Sequence, residues 1–461
     1  MFDTETYSAR RNSLREAVST GVILFPGNNN TPMNYPGNPY YFRQDSSFLY
    51  FFGLDKPGFT GLIDIDENKD YLYGTDFEVD DIIWMGPQPT VKELSLKAGV
   101  ENTGSPDELA EKIRQAISGN RTLHYLPQYR ADTAIQMGKL PGIPESAVNN
   151  GVSENLIKAV VQMRSVKTSD EICEIEKALA ITHAMYAAAA QAAQPGTAEA
   201  EIVGKMEGII GSHNTHIAFP IILSIHGEIL HNHHHDNILG ENDLLVIDSG
   251  AESREHYASD ITRTYPVGGT FTPEQKELYN IVLKGQIAAI ESIKPGVTYR
   301  DIHLQTAAII AEGLKDMGFL KGDVESIVQE GVHALFFPHG LGHMMGLDVH
   351  DMENIGEDYV GYDDTVTRSE QFGLAYLRMA KCLQPGHVIT VEPGIYFIPA
   401  LIDKWESENK FTDFIDYTRV EKFKKFGGIR IEDDVLVTAD GKRVLGKPIP
   451  KTVEEIEGIM K

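Results

Sequence analysis

The first third of the chain alternates short apolar, β-rich runs with turns: Gly21–Gly27, Ser47–Gly53, Thr60–Ile65 and Tyr71–Tyr73. Runs of that length and composition predict strands of a small sheet. Ser105-Pro-Asp-Glu108 then reads as a helix start, with Ser105 as cap, Pro106 in the first turn and Glu108 closing a capping box. Leu109, Ile113, Ala116 and Ile117 form its apolar stripe, and Gly119 ends it. Near residue 165 the texture changes. Thr168-Ser-Asp-Glu171 opens a long helix with Ile172, Ile175 and Leu179 on one side, running through an Ala-rich stretch to Pro195-Gly196. This places a domain boundary at about residue 160, dividing the chain into 1–160 and 161–461.

The second part carries a faint internal repeat. A helix, Pro195-Gly196-Thr197 and a second helix with Glu201-Ile202 are echoed by a helix begun at Thr272-Pro-Glu-Gln275, then Pro295-Gly296-Val297 and Asp301-Ile302. Each copy later has an apolar strand ending in an acid and a small-residue turn, Leu244–Asp248-Ser-Gly250 and Val388–Glu392-Pro-Gly394. A second acid follows each, at Asp260 and Glu432. Two such halves facing one another predict four carboxylates at a shared centre.

Composition narrows the function. There are 67 Asp and Glu against 41 Lys and Arg, a net charge of −26. That balance excludes the basic face a nucleic-acid binder needs and disfavours an anionic membrane surface. No run approaches a membrane span, the N-terminus lacks a signal pattern, and two cysteines are too few for a disulfide framework, so a cytoplasmic protein is expected.

Asp248, Asp260, Glu392 and Glu432 all lie in or beside apolar runs, and four carboxylates cannot be buried together without cations. His343, in Pro338-His-Gly-Leu-Gly-His343, adds a nitrogen ligand. Oxygen-rich sites with one imidazole suit Mn²⁺, Co²⁺ or Zn²⁺, and this many bridging groups suits a pair of ions sharing one hydroxide.

Asp248-Ser-Gly250, Ser259-Asp-Ile-Thr-Arg263, His339–His343, Leu347-Asp-Val-His350, Thr390–Gly394 and Gly428–Asp433 together resemble the motif series of the proline-specific metallopeptidases with the pita-bread fold, the group of aminopeptidase P and prolidase. Tyr41–Tyr50 with Gly53 and Pro57-Gly58 is similar to their N-terminal domain. The resemblance implies an α/β (α+β) protein: a small mixed-sheet domain, then a pita-bread catalytic domain with a pseudo-twofold repeat. It implies that Asp248 and Asp260 hold one metal, that Asp260 and Glu432 bridge, and that His343 and Glu392 complete the second, with two Mn²⁺ ions the expected pair. Asp248 and Asp260 are twelve apart, one more than is usual in the family, which points to an extra residue in the Glu252–His256 turn.

The same resemblance makes His231 and His350 the imidazoles flanking the scissile carbonyl. It assigns His339, Arg378, Tyr396 and Arg430 to the substrate pocket, Arg378 matching an arginine that prolidases use on a terminal carboxylate. Arg430, in alternation with Glu432, is placed to orient a ligand carboxylate. His233 to His235 read as a solvated loop, and Trp84 resembles an aromatic that reaches a neighbouring subunit in oligomeric relatives, so a homodimer or larger is expected. The segment 352–381 is either a lid or a surface insertion.

The expected reaction is hydrolysis of an N-terminal Xaa-Pro bond by a metal-bridged hydroxide, with Glu392 handling the proton. The N-terminal run is closer to bacterial aminopeptidase P. The long segments around Glu392, with Arg378, resemble prolidase. Aminopeptidase P is the preferred expectation and Xaa-Pro dipeptidase the alternative. A non-catalytic pita-bread binding module, or a metal-free hydrolase resembling creatinase, would be expected to have lost ligands, and all five are present here.

Overall fold

Every residue of β1 (Val22–Pro26) is buried, as in a strand covered on both faces, which is why its apolar run shows no alternation. With β2 (Thr60–Asp64), β3 (Lys69–Tyr73), β4 (Asn102–Gly104) and β5 (Leu123–His124) it forms a mixed sheet in the order β4-β3-β2-β1-β5. The β1/β2 and β2/β3 pairs are antiparallel, whereas β1/β5 and β3/β4 are parallel. Leu24, Leu62, Tyr73, Leu109, Ile113 and Met137 make the core beneath it. These features belong to a computed structural model that describes residues 2–460. Two units separate by their internal contacts, Met1–Met163 and Arg164–Lys461.

The helix Pro106–Ser118 has the expected capping box, Ser105 Oγ accepting from Glu108 N at 3.3 Å while Glu108 accepts from Ser105 N at 2.6 Å. Its buried stripe is Leu109, Ile113 and Ala116; Ile117 lies at the edge and is 40 % exposed. The run Ser47–Gly53, expected as a strand, is instead a helix, Ser46–Phe52. Asp45 caps it by accepting from Phe48 N at 2.8 Å, and Gly53 ends it at φ 66°. All seven residues are buried, so neither helical nor strand periodicity shows, and aromatic content favoured the wrong choice.

The second unit contains β6 (Ile222–Ser224), β7 (Leu244–Ser249), β8 (Ile261–Pro266), β9 (Val388–Val391), β10 (Gly394–Tyr396), β11 (Gly428–Arg430), β12 (Asp433–Val437) and β13 (Lys442–Val444). They group as β6-β7-β8, β13-β12-β9 and β10-β11. The internal repeat is visible in the backbone. Helices Ser169–Ala192 and Pro273–Ser292 start at capping boxes on Thr168 and Thr272 and lead to Gly196 and Gly296, at φ 87° and 86°. Gly196 N donates to Leu239 O at 2.8 Å and Gly296 N to Leu383 O at 3.0 Å. Leu239 N and Leu383 N return hydrogen bonds to Thr197 O and Val297 O, both at 2.9 Å.

Candidate metal centre

The β7/β8 register sets Asp248 opposite Thr262 and continues to Glu252 opposite Ala258. Arg254-Glu255-His256 closes the hairpin, with Ser253 N donating to Tyr257 O at 2.8 Å and His256 at φ 65°. This is a three-residue loop ending in a left-handed residue. In such a register an even separation keeps side chains on one face, so the spacing of twelve brings Asp248, Asp260 and Thr262 together.

The other half of the centre sits where strands end. Glu392 lies between β9 and β10, its N–H donating to Leu341 O at 2.8 Å. Glu432 lies between β11 and β12, its N–H donating to Thr262 O at 3.0 Å and its Oε2 accepting from Thr262 Oγ1 at 2.7 Å. His343 exchanges backbone contacts with Thr390, whose hydroxyl accepts from His343 N at 3.1 Å. Met344 O lies 3.0 Å from Nδ1 of His343, so Nδ1 carries the hydrogen and Nε2 is the free nitrogen. That Nε2 lies 3.4 Å from Asp260 Oδ2 and 3.5 Å from Glu392 Oε1. Asp260, His343 and Glu432, all buried, each offer a ligand atom within 4.8 Å of the others.

Electrostatics mark this as a site built for cations. Burial, and then the neighbouring acids, raise the carboxyls of Asp260 and Glu432 well above the usual range. Glu392 is pushed up to about 7, chiefly by burial. Burial lowers His343 well below its ordinary value, leaving a neutral lone pair facing carboxylate oxygens. Asp248 Oδ1, Asp260 Oδ1 and Glu432 Oε1 are buried with no hydrogen-bond partner among the described residues. Orphaned acceptors around one point are what divalent ions satisfy, so the donor set fits them.

Arg430 is the fixed cation of the centre, and it is 4 % exposed rather than a surface ion-pair former. It donates from Nη2 to Asp248 Oδ2 at 2.6 Å, from Nη1 to Tyr396 Oη at 2.8 Å and from Nε to Thr262 Oγ1 at 3.0 Å. Burial opposes its charge, but Tyr396, Asp248 and Glu392 hold its pKa well above the ordinary value. Tyr396 is fully buried, and its hydroxyl also meets His339 Nε2 at 2.9 Å. Both residues are committed to protein partners and brace the acids.

A cavity of about 700 Å³ opens onto these groups, with His231, His339, His350 and Arg378 in its wall. Burial lowers the pKa of His231, while Asp248 pulls it back up. His350 Nδ1 lies 2.5 Å from Glu353 Oε2, and its ring stands 4.3 Å from that of His343. Phe219, Leu230 and Val349 are among the apolar residues of the cavity lining. Segment 352–381 folds into short turns at Glu353–Ile355, Glu357–Gly361 and Leu374–Tyr376, and supplies Phe372, Tyr376 and Arg378 to the wall. His233 also lines the cavity, whereas His234 is exposed and His235 Nδ1 contacts Leu223 O at 3.1 Å.

Comparison with known proteins agrees with this geometry. The model of metallopeptidase family M24 matches residues 173–439, and that of the aminopeptidase P N-terminal domain matches residues 7–125. The chain belongs to metallopeptidase family M24. Among its relatives, human Xaa-Pro dipeptidase is 33 % identical, the match covering 96 % of this chain and 90 % of that protein. The probable Xaa-Pro aminopeptidase pepP of Aspergillus clavatus is also 33 % identical, over 95 % and 92 %. Escherichia coli aminopeptidase P with the inhibitor Pro-Leu superposes with a TM-score of 0.82 at 27 % identity, covering 100 % of this chain and 98 % of that one. This M24 peptidase is therefore a metal-dependent hydrolase with an N-terminal aminopeptidase P-type domain and a pita-bread catalytic domain.

Four residues of the M24 centre escaped the sequence reading. Thr262 and Thr390 hold ligand carboxylates through hydroxyls whose role depends on packing alone. Arg263, fully buried, donates from Nη1 to Glu432 O at 2.6 Å and from Nη2 to Asp433 Oδ1 at 2.7 Å. Asp434 accepts from Asp260 N at 3.0 Å behind the site, and burial raises its carboxyl well above the usual range. Thr262, Arg263 and Thr390 stand inside the motifs that carry the resemblance but had no role assigned to them, and the signal for Asp434 is its place as third consecutive acid in an apolar strand.

Proposed function

We propose that this M24 peptidase hydrolyses the N-terminal Xaa-Pro bond of peptides, preferring chains longer than two residues. The observation that carries the reading is the set of buried Asp260, His343 and Glu432 with partly buried Asp248 and Glu392, holding orphaned oxygens beside a large cavity with apolar residues in its lining. Those five residues would hold two divalent ions, for which Mn²⁺ suits the oxygen-rich, single-imidazole set. Bound there, the ions would supply Lewis acidity toward the scissile carbonyl and a water of lowered pKa.

The protein groups have separable tasks. Glu392 Oε1 accepts from Thr390 Oγ1 at 3.3 Å, and its Oε2 stands 3.9 Å from His339 Nδ1, so this carboxylate is positioned to take up a proton and return it to the leaving nitrogen. His231 and His350 lie in the wall where a carbonyl oxygen would become anionic; His231 can donate to it, and His350 does so when its ring carries both hydrogens. Phe219, Leu230 and Val349 exclude water from the proline ring. Arg430, Thr262 and Tyr396 keep Asp248 and Glu432 in register.

Dipeptidase action is the second reading, favoured by Arg378 in the cavity wall. Against it, Arg378 Nε already faces Glu357 Oε1 at 2.9 Å and Glu353 Oε2 at 3.5 Å, which weakens its pull on a free carboxylate. Hydrolysis of Ala-Pro and Ala-Pro-Ala-Ala with Mn²⁺ decides between them: faster cleavage of the tetrapeptide is expected, and cleavage of the dipeptide alone overturns the preference. Self-association is part of the proposal. The helix Val79–Met85 buries none of its residues and leaves Trp84 85 % exposed, an apolar surface fit for a second copy of the chain. Light scattering that finds only monomers would contradict it.

A further inference from the structure

One carboxylate beside the cavity serves two groups at once. Glu353 Oε2 lies 2.5 Å from His350 Nδ1 and 3.5 Å from Arg378 Nε, and it is half exposed on a short turn just beyond Asp351. Opposite a carboxylate, Nδ1 must carry the hydrogen, so His350 turns Nε2 to the cavity, as acceptor when neutral and as donor when doubly protonated. On its other side Glu353 joins a charge cluster. Arg378 faces Glu353 and Glu357, and Arg368 pairs with Glu357 at 2.8 Å and with Asp358 at 2.7 Å. Two guanidinium groups thus meet three carboxylates. A substrate carboxylate approaching Arg378 meets a cation whose charge is already offset by Glu353 and Glu357, whereas a neutral peptide group pays no such penalty.

We propose that Glu353 is a positioning and specificity-determining residue: it fixes the ring of His350 and screens Arg378, disfavouring substrates that end in a free carboxylate at proline. The inference rests on the Xaa-Pro reading and deepens it, since it names the substrate feature against which the cavity discriminates. Both functions come from one oxygen, but they respond differently to substitution. Glutamine keeps an acceptor for His350 Nδ1 and removes the charge; alanine removes both.

The test compares Ala-Pro with Ala-Pro-NH₂, identical except for the terminal charge, using the full-length Mn²⁺-loaded protein. In E353Q the KM for Ala-Pro should fall about threefold relative to that for Ala-Pro-NH₂, the size expected of one half-exposed charge. In E353A the KM ratio should shift in the same direction, while kcat falls about tenfold on both substrates, the loss typical of an outer partner of a working imidazole. E353Q should recover most of the kcat lost in E353A. A wild-type protein that cleaves both substrates, with a KM ratio unchanged in E353Q, overturns the proposal and leaves the Xaa-Pro reading standing. A wild-type protein inert on both but active on Ala-Pro-Ala-Ala overturns the proposal alone, because the terminal charge is then not what the cavity discriminates; one inert on all three overturns the Xaa-Pro reading and the proposal with it. Should E353A not fold, the E353Q ratio alone decides.

Discussion

Glu392 offers a quantitative check on the buried acid cluster. In the metal-free protein burial raises its carboxyl from the ordinary 4.5, Arg430 pulls it back, Asp248 pushes it up again, and it settles at about 7. The folded state then binds this proton more tightly than the unfolded chain does. The stability it contributes is fully present below pH 4.5 and is lost as the pH rises through 7. The whole effect is about 3 kcal/mol, most of it falling between pH 5 and pH 8. For a unit of this size that corresponds to about 5 °C in Tm. Glu392→Gln removes the titration. Calorimetry of chelator-treated wild type and variant should therefore show the variant gaining about 5 °C on the wild type between pH 5 and pH 8. The buried histidines titrate in the opposite sense, but they are common to both proteins and cancel in the difference. Saturating Mn²⁺ should reverse the order at pH 8, because the ionised carboxylate becomes a ligand. A difference in Tm that does not change with pH would refute the picture of a crowded, cation-seeking cluster.

Three further substitutions probe separate layers. Arg430→Met leaves the partly buried Asp248 beside the other acids without its guanidinium, and should cost about 3 kcal/mol in urea unfolding of the metal-free protein, less with Mn²⁺. Thr262→Val removes the hydroxyl shared by Glu432 and Arg430 and should weaken Mn²⁺ binding tenfold or more in chelator competition. Ser105→Ala should cost about 1 kcal/mol by removing one helix cap, read in thermal unfolding, and leave turnover unchanged.

Legibility of the chain followed the range of the interaction involved. The helices begun at Ser105, Thr168 and Thr272 were readable because a capping box is written within four residues. The acids were readable because a carboxylate at the end of an apolar strand is costly enough to demand a reason, and because their order carries a family pattern. The helix Ser46–Phe52 was not, since complete burial erases periodicity and its caps, Asp45 and Gly53, flank a run rich in strand-favouring aromatics. Nor was the bracing around the metal centre. Arg263 reaches Glu432 and Asp433 across about 170 residues, and Tyr186 donates to the carbonyls of Ile247 and Ile261 on both strands of the acid-bearing hairpin. Such contacts exist only after the two halves of the repeat have met, so no local pattern announces them. Glu353 is invisible for a related reason: its significance is its distance from two side chains, not its neighbours in sequence.

The central claim is that five side chains, Asp248, Asp260, His343, Glu392 and Glu432, make a divalent-metal centre that cleaves Xaa-Pro bonds. Its most direct test is to strip the protein with a chelator, return Mn²⁺ in steps, and follow bound metal and Ala-Pro-Ala-Ala hydrolysis together. The account predicts an inert stripped protein whose activity returns as occupancy rises to two ions per chain, and a Glu432→Gln variant that neither fills both sites nor recovers. Undiminished hydrolysis with no ion bound, or full metal occupancy with no cleavage of any proline-bearing peptide, would contradict it.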